Sequence, residues 1–315
     1  VLTRLAPSPT GTLHLGNART FLVNWALARQ NGWRVLLRME DLDSTRIRPG
    51  ANEQAVEVLQ WLGLDWDTGP VNQSADLSPY RAALEKLIAD DKAYPCRCTR
   101  SQILAASLSA PHAGDRELRY PGTCRPDQDT RVDPARLDEP GVAWRFIAPD
   151  KPIAFDDTFA GPQSFNPQQE VGDFLVATKD CQPSYQLAVV VDDARQGVTH
   201  IVRGDDLLNC TSRQIQLYEA LGVGPVPVYT HVPLVVGEDG RRLAKRHGDT
   251  HVSHYRDLGV APERVIGLMA EWCGLSERRE MSAAEFAQVF SLDRLPKDQV
   301  MFGPDEDNWL TRSPH

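Results

Sequence analysis

Val1-Leu-Thr-Arg-Leu5, continued by Ala6-Pro-Ser-Pro-Thr-Gly-Thr-Leu-His14-Leu-Gly16-Asn17, is the stretch on which the fold of the 315-residue chain turns. Its first five residues are short and apolar enough for a buried strand, and Pro7, Pro9 and Gly11 then punctuate a turn. From about Leu13 to Gln30, Ala18, Phe21, Leu22 and Trp25 recur at helical spacing. Trp33 to Met39, with Val35, Leu36 and Leu37, reads as a second strand that ends in the acidic Glu40-Asp-Leu-Asp43. Strand, crossover helix, strand is the start of a parallel sheet, so an α/β fold of the Rossmann nucleotide-binding type is expected. His14 and Gly16 then sit where a turn feeds a helix. Free backbone N–H groups and the positive end of the helix dipole favour an anion there. Gly16, lacking Cβ, would let a flat base or ribose approach the backbone, and His14 could donate to a phosphate oxygen. An isolated His-x-Gly reads more simply as a helix cap with a surface histidine.

Working outward, helical patterns cover roughly Gly50 to Leu62 and Ser78 to Asp90, where Ser78 serves as N-cap and Pro79 as first helical residue. From Tyr94 to about Pro140 the texture changes: three cysteines, many prolines and little periodicity mark an inserted module. Strand-like runs follow at Val142 to Phe146, Leu187 to Val191 and His200 to Val202, then a helix near Thr211 to Leu221 and a strand from Val228 to Val236. Pro262 to Cys273 and Ser282 to Phe290 read as helices. The organisation expected is the first half of a catalytic domain over 1–93 and the inserted module over 94–140. The rest of the insertion and the second half follow over 141–249, and a short helical C-terminus over 250–315.

With 41% hydrophobic and 24% charged residues the composition is that of a globular protein, and no apolar run approaches the ~18 residues that span a bilayer. A membrane partner is not expected. Val1 to Pro9 lacks the sections of a secretory signal, which reads as a cytoplasmic chain. The net charge of −9 repels phosphates at long range, so any RNA contact must be local. The best local cluster is Arg241, Arg242, Lys245 and Arg246, followed by His247. Cys96-Arg-Cys98 and Tyr120-Pro-Gly-Thr-Cys124 could bind zinc, because thiolates gathered on a module without a good core replace packing with coordination. Only three cysteines are close in sequence, so a fourth ligand is needed, and ordinary zinc chemistry would choose His112. Reduced structural thiols are the plainer reading, and Cys181, Cys210 and Cys273 look like scattered thiols.

Two of these weak motifs stand in a telling order. The stretch ending in His14-Leu-Gly16-Asn17 resembles the HIGH signature of class I aminoacyl-tRNA synthetases, and Arg242-Leu-Ala-Lys-Arg246 resembles their KMSKS loop. Arg4-Leu-Ala-Pro-Ser8, Arg38-Met-Glu40-Asp-Leu-Asp43, Trp61-Leu-Gly-Leu-Asp65-Trp66, Tyr185-Gln-Leu-Ala-Val-Val-Val-Asp-Asp193 and Ile201-Val-Arg203-Gly204 resemble glutamyl-tRNA synthetases in particular. The resemblance runs from about Leu2 to Asp249. Tyr185-Gln-Leu-Ala188 and His200-Ile-Val-Arg-Gly-Asp-Asp-Leu-Leu208 are most similar to the short branch of that family, the glutamyl-Q tRNA(Asp) synthetases. Asn17 replaces the last His of HIGH, and Arg242, Leu243, Ala244 and Arg246 replace four of the five KMSKS letters. Lys245 is retained, and Gln186 stands where full-length members often have Asn.

The resemblance implies an ATP-dependent ligase that activates L-glutamate, with Mg²⁺ arriving with ATP and no enzyme nucleophile. His14 and Lys245 would be catalytic, holding the phosphates, and Gly16 and Asn17 would join them in binding ATP. Arg4 through Leu5, Ala6, Pro7 and Ser8, with Glu40, Tyr185 and Arg203, would bind glutamate. Arg4, Tyr185 and Arg203 would take the carboxylates, and Glu40 with Ser8 the amino end. Within the family the insertion uses a tyrosine as the fourth ligand of Zn²⁺, which gives Cys96, Cys98, Tyr120 and Cys124. Fewer than 70 residues follow the KMSKS-like loop, too few for the anticodon-reading helical domain of a full synthetase. The implied acceptor is then queuosine at the wobble position of tRNA(Asp), reached through the anticodon stem-loop, by a monomer. A trimmed glutamyl-tRNA synthetase charging tRNA(Glu), a non-catalytic synthetase-like sensor and a zinc-ribbon RNA-binding module are the rival readings.

Overall fold

The computed structural model describes residues 1–9, 13–43, 47–108, 118–127, 132–241, 243 and 250–312. Lys245, Arg242, Ala244, Arg246, His247 and His112 lie outside the described residues. The first half consists of β1 (Leu2–Leu5), α1 (Leu15–Gln30), β2 (Arg34–Met39), α2 (Ala51–Trp61), β3 (Thr68–Asn72) and α3 (Ser78–Ala89). β4 (Ala93–Cys96), α4 (Arg100–Leu108), β5 (Ala143–Phe146), β6 (Ile153–Asp157), β7 (Gly161–Phe165), α5 (Pro167–Glu170) and β8 (Leu175–Ala177) follow. The second half runs through α6 (Tyr185–Gln196), β9 (His200–Gly204), α7 (Cys210–Leu221), β10 (Val228–Val232) and β11 (Val235–Val236). α8 (Val252–Asp257), α9 (Pro262–Trp272), α10 (Ala283–Val289), β12 (Val300–Met301) and α11 (Pro304–Thr311) complete the described chain.

β1, β2 and β3 pair in parallel, with Leu2 opposite Arg34 and Leu5 opposite Leu37. A second sheet has the order β7-β6-β10-β9, parallel except for the β6–β7 hairpin. The two meet at a seam: the Thr199 N–H donates to the Leu2 carbonyl (2.9 Å), which sets β9 beside β1. Read across the seam, the strands run β3-β2-β1-β9-β10. That is the doubly wound order in which ligands bind where the strand order reverses, at the carboxyl ends of β1 and β9. β4, β5 and β8 form a separate antiparallel sheet. α1 packs on the parallel sheet and is buried on nearly all sides. Its interior cation, Arg19, donates through Nη1 to the Pro233 carbonyl (2.7 Å) and through Nη2 to the Trp272 carbonyl (2.8 Å), tying the helix to the segment after β10 and to α9. One core joins this sheet to α1, α9 and α10, and a second lies among α3, α6, α7 and the antiparallel sheet.

Three expectations change. The strand expected over Val228 to Val236 is broken at Pro233 and Leu234 into β10 and β11, which belong to different sheets. Leu187 to Val191 is not a strand but the middle of α6, although three successive valines favour extended chain. Ser184 caps the helix by accepting from the Leu187 N–H, Gly197 ends it at φ 74°, and Gln186 to Asp193 are all buried. A run buried on every side carries no periodicity, so pattern alone cannot separate helix from strand there. Ser78 is also not the N-cap of α3. The cap is Leu77, and the Ser78 hydroxyl donates to Asp76 instead (2.6 Å).

Candidate active site

At the carboxyl ends of β1 and β9 lies a cavity of about 280 Å³. Its wall includes Arg4 on β1, Ala6 and Ser8 from the turn after it, His14, Gly16 and Asn17 from the start of α1, Glu40 after β2, Tyr185 at the head of α6 and Arg203 on β9. Sequence reasoning named all nine. The other two glutamate candidates stand apart: the Leu5 side chain is in the hydrophobic core, and Pro7 offers its carbonyl to the Glu40 N–H (2.9 Å), which helps fix the acid. His14 is the N-cap of α1, its Nδ1 accepting from the Asn17 N–H (3.4 Å). The cap and the phosphate-facing readings of His14 are therefore compatible, because an imidazole that accepts at Nδ1 carries its proton on Nε2. A Cβ on Gly16 would come within 3.3 Å of Val235 and 3.4 Å of the His14 ring, so packing by itself already asks for glycine.

Behind the cavity is a buried web of alternating charge. Arg38 donates to Asp193 (2.7 Å), Gln196 (2.9 Å) and, more weakly, Glu40 (3.4 Å), and Arg4 Nε lies 3.6 Å from the same Asp193 carboxylate. Asp192 accepts from Gln73 (2.6 Å), Arg195 (2.7 Å) and the Tyr80 hydroxyl (2.9 Å). These contacts offset the cost of burying so many ions, and they leave Arg4 and Glu40 held from behind. Burial pushes the Glu40 carboxyl above its ordinary range, Arg38 and Arg4 pull it back, and Asp193 adds to the rise.

Away from this cavity, Cys96, Cys98 and Cys124 bring their sulfurs within 4.8 Å of one another. The Tyr120 oxygen lies 3.5 Å from Cys96 Sγ and 3.8 Å from Cys98 Sγ, and Cys98 and Cys124 are 3.5 Å apart. A tetrahedron with Zn–S near 2.3 Å has edges of about 3.8 Å, so three sulfurs and one oxygen at these separations fit such an ion. Burial opposes ionisation of Cys124, but hydrogen bonds from the Arg97 backbone, Tyr120 and the two other thiols bring it down to about 7. The Arg145 guanidinium lies 3.6 Å from the centre of the Tyr120 ring and donates to Cys96 Sγ (3.3 Å). Between this cluster and Tyr185 is a cavity of about 710 Å³ whose wall includes Arg100, Arg145, Lys179, Arg213 and Gln186, and no Asp or Glu among the described residues.

Comparison with known proteins identifies the family. A sequence profile for the family described as "tRNA synthetases class I (E and Q), catalytic domain" matches residues 1–308. The chain belongs to this family. It is 48% identical to a glutamyl-Q tRNA(Asp) synthetase of Symbiobacterium thermophilum, over 94% of both chains. It is 48% identical to one of Rhodopirellula baltica, over 98% of this chain and 93% of that one. A glutamate–tRNA ligase of Trichlorobacter lovleyi is 42% identical over 98% of this chain and 64% of its own length. Among solved structures, a glutamate tRNA ligase of Elizabethkingia meningosepticum in complex with its amino acid superposes with a TM-score of 0.81 at 28% identity, covering 98% of this chain and 68% of that one. This class I synthetase is thus a ligase-family chain with the α/β fold of the glutamate tRNA ligases.

Two residues behind the cavity at the carboxyl ends of β1 and β9 escaped the sequence reading. Asp157 and His231 are joined by a 2.7 Å hydrogen bond across 74 residues, and His231 in turn contacts Arg203 (2.9 Å). A lone His inside the apolar Val228-Tyr-Thr-His-Val232 was the one available signal, and such a residue reads by default as a satisfied core histidine. No helix among the described residues is long and apolar enough to cross a membrane.

Proposed function

We propose that this synthetase uses ATP to activate L-glutamate and passes the glutamyl group to queuosine at the wobble position of tRNA(Asp). The observation that carries the reading is the cavity at the strand-order reversal, where Arg4, Arg203 and Tyr185 stand with Glu40 beside the His14–Gly16 helix start. Glutamate presents two carboxylates and one ammonium, and this wall offers two guanidinium forks, Arg4 and Arg203, and two acids, Glu40 and Asp206. In the reaction a carboxylate oxygen of glutamate attacks the α-phosphorus of ATP, the bond to pyrophosphate breaks, and the acceptor nucleophile then displaces AMP from the acyl carbon. The helix N-terminus and His14 hold phosphoryl oxygens as charge builds there, and Lys245 joins them. Mg²⁺ comes with the nucleotide. The cationic cavity that shares Tyr185 supports RNA as the acceptor: in a chain of net charge −9 it is a local attraction for phosphates. Cys96, Cys98, Tyr120 and Cys124 hold a structural Zn²⁺, with Arg145 placed to offset the charge of the thiolates.

The names of the relatives that match this chain over nearly their whole length support the queuosine acceptor, since both are glutamyl-Q tRNA(Asp) synthetases. The test is ATP–pyrophosphate exchange with glutamate and no RNA, followed by transfer of labelled glutamate to queuosine-containing tRNA(Asp) and to tRNA(Glu). Exchange with labelling of tRNA(Asp) alone is expected. Charging of tRNA(Glu) with no RNA-free exchange would make the chain part of a glutamyl-tRNA synthetase, and silence in both would leave a glutamate or tRNA sensor.

A further inference from the structure

Arg203 is 5% exposed and carries five N–H donors, which have to be accounted for one nitrogen at a time. Its Nε donates to His231 Nε2 (2.9 Å), and its Nη2 donates to the Thr211 hydroxyl (2.9 Å) and, more weakly, to the Leu207 carbonyl (3.4 Å). Nη1 is buried and has no partner among the described residues. An unpartnered guanidinium nitrogen in a wall residue of the cavity is costly unless a ligand completes it. The other two nitrogens are held from behind, and what they rest on determines where Nη1 points.

His231 supplies that support in one protonation state only. Arg has no acceptor, so the Nε–H···Nε2 contact requires a bare lone pair on His231 Nε2 and puts the ring proton on Nδ1. Nδ1 then donates to Asp157 Oδ2 (2.7 Å). Asp157 is itself fixed, accepting from the backbone N–H groups of His231 (3.1 Å), Phe159 (3.0 Å) and Ala160 (2.8 Å). Burial lowers the proton affinity of His231, Asp157 works against that, and Arg203 and Arg4 add to the lowering, consistent with a neutral ring. Three strands share the device: β6 holds the acid, β10 the imidazole and β9 the arginine.

We propose that Asp157 and His231 are positioning residues for the amino-acid pocket: their hydrogen-bonded relay fixes one imidazole tautomer and thereby aims the Arg203 guanidinium at a carboxylate of glutamate. The proposal rests on the reading of the cavity as the glutamate site. A relay of this kind acts on the binding of one substrate and leaves the phosphate-handling end alone, which separates it from a merely structural contact.

The test uses two substitutions at one position. His231→Asn places an amide N–H near the site of Nδ1 and keeps the Asp157 contact, but loses the acceptor for Arg203. His231→Gln places an amide oxygen near the site of Nε2 and restores that acceptor. In ATP–pyrophosphate exchange, His231→Asn should raise the glutamate KM about 10- to 100-fold, the scale of a misplaced binding group. Its kcat and ATP KM should stay near wild type, and His231→Gln should recover most of the loss. Asp157→Asn should behave like His231→Asn, because an amide donating to Nδ1 moves the ring proton to Nε2, against Arg203. An unchanged glutamate KM in His231→Asn, equal damage in both His231 variants, or parallel rises in both KM values would overturn the relay. The imidazole ¹⁵N spectrum of the wild-type protein near neutral pH decides the tautomer independently of activity: Nδ1–H is expected, and Nε2–H or a doubly protonated ring refutes it. Wild-type protein that gives the Nδ1–H signature but no glutamate-dependent exchange would count against the function proposed above and not against the relay geometry.

Discussion

Glu40 holds a carboxylate where burial works against its charge, and Arg38 and Arg4 favour that charge. In the glutamate site proposed above, the residue would bind the ammonium as a carboxylate and lose the contact on taking a proton. Its pKa is raised in the folded protein, so acidification should protonate it at a higher pH than an ordinary glutamate side chain. The expected outcome is a glutamate KM that is flat at neutral pH and climbs as pH falls, starting above the range in which free carboxylates titrate, while the ATP KM moves less. Glu40→Gln should abolish that climb and hold the KM about 10- to 100-fold high throughout, the loss of one charge-assisted contact. Steady-state exchange at a series of pH values checks both. At this scale much was legible from the amino-acid sequence: short quotations such as Arg4-Leu-Ala-Pro-Ser8 and Tyr185-Gln-Leu-Ala188 name residues that the structure gathers around one cavity. Asp157 and His231 were not legible, because each is unremarkable alone and their meaning lies in a contact between strands far apart in the chain.

The elements show why. β1, α1 and β2 could be read because period and punctuation agree: a short apolar run, a Pro/Gly turn, then helical recurrence. α6 could not, since burial on all sides erased the period and β-branched residues pointed the wrong way. The hairpin of β6 and β7 has half-buried strands and gave no functional signal, yet it delivers Asp157 to β10. The cysteine cluster belongs to the antiparallel sheet that opens at β4, where Tyr94 donates to Asp173 (2.7 Å) and Asp173 accepts from Arg125 (3.2 Å). On the cysteine side of that sheet the fully buried apolar group is small, Tyr94, Cys96 and Tyr120, while residues such as Trp144 and Phe146 pack into the second core. Metal analysis of the purified protein should therefore find about one zinc per chain. Cys124→Ser, or treatment with a strong chelator, should remove it and lower the unfolding temperature. Protein that never carries metal, or that melts unchanged without it, would contradict the structural role.

For the whole molecule, the seam between β1 and β9 is the organising feature. Arg4 stands on one side of it and Arg203 on the other, and Arg4 Nη1 reaches the Val202 carbonyl across it (3.5 Å). The long-range field of an acidic chain repels phosphates, while the cavity lined by Arg100, Arg145, Lys179 and Arg213 offers the short-range attraction that the proposed RNA acceptor requires. Such a surface favours an acceptor that can project a nucleotide inward over one that merely lies alongside. The β6–β7 hairpin gives this arrangement a remote reporter. None of its residues is in the wall of the cavity at the carboxyl ends of β1 and β9, but through Asp157 its β6 strand is fastened to the imidazole behind Arg203. Glutamate bound to Arg203 should therefore be felt as slower amide hydrogen exchange over 153–165, a segment the ligand never touches, and Asp157→Asn should silence that response.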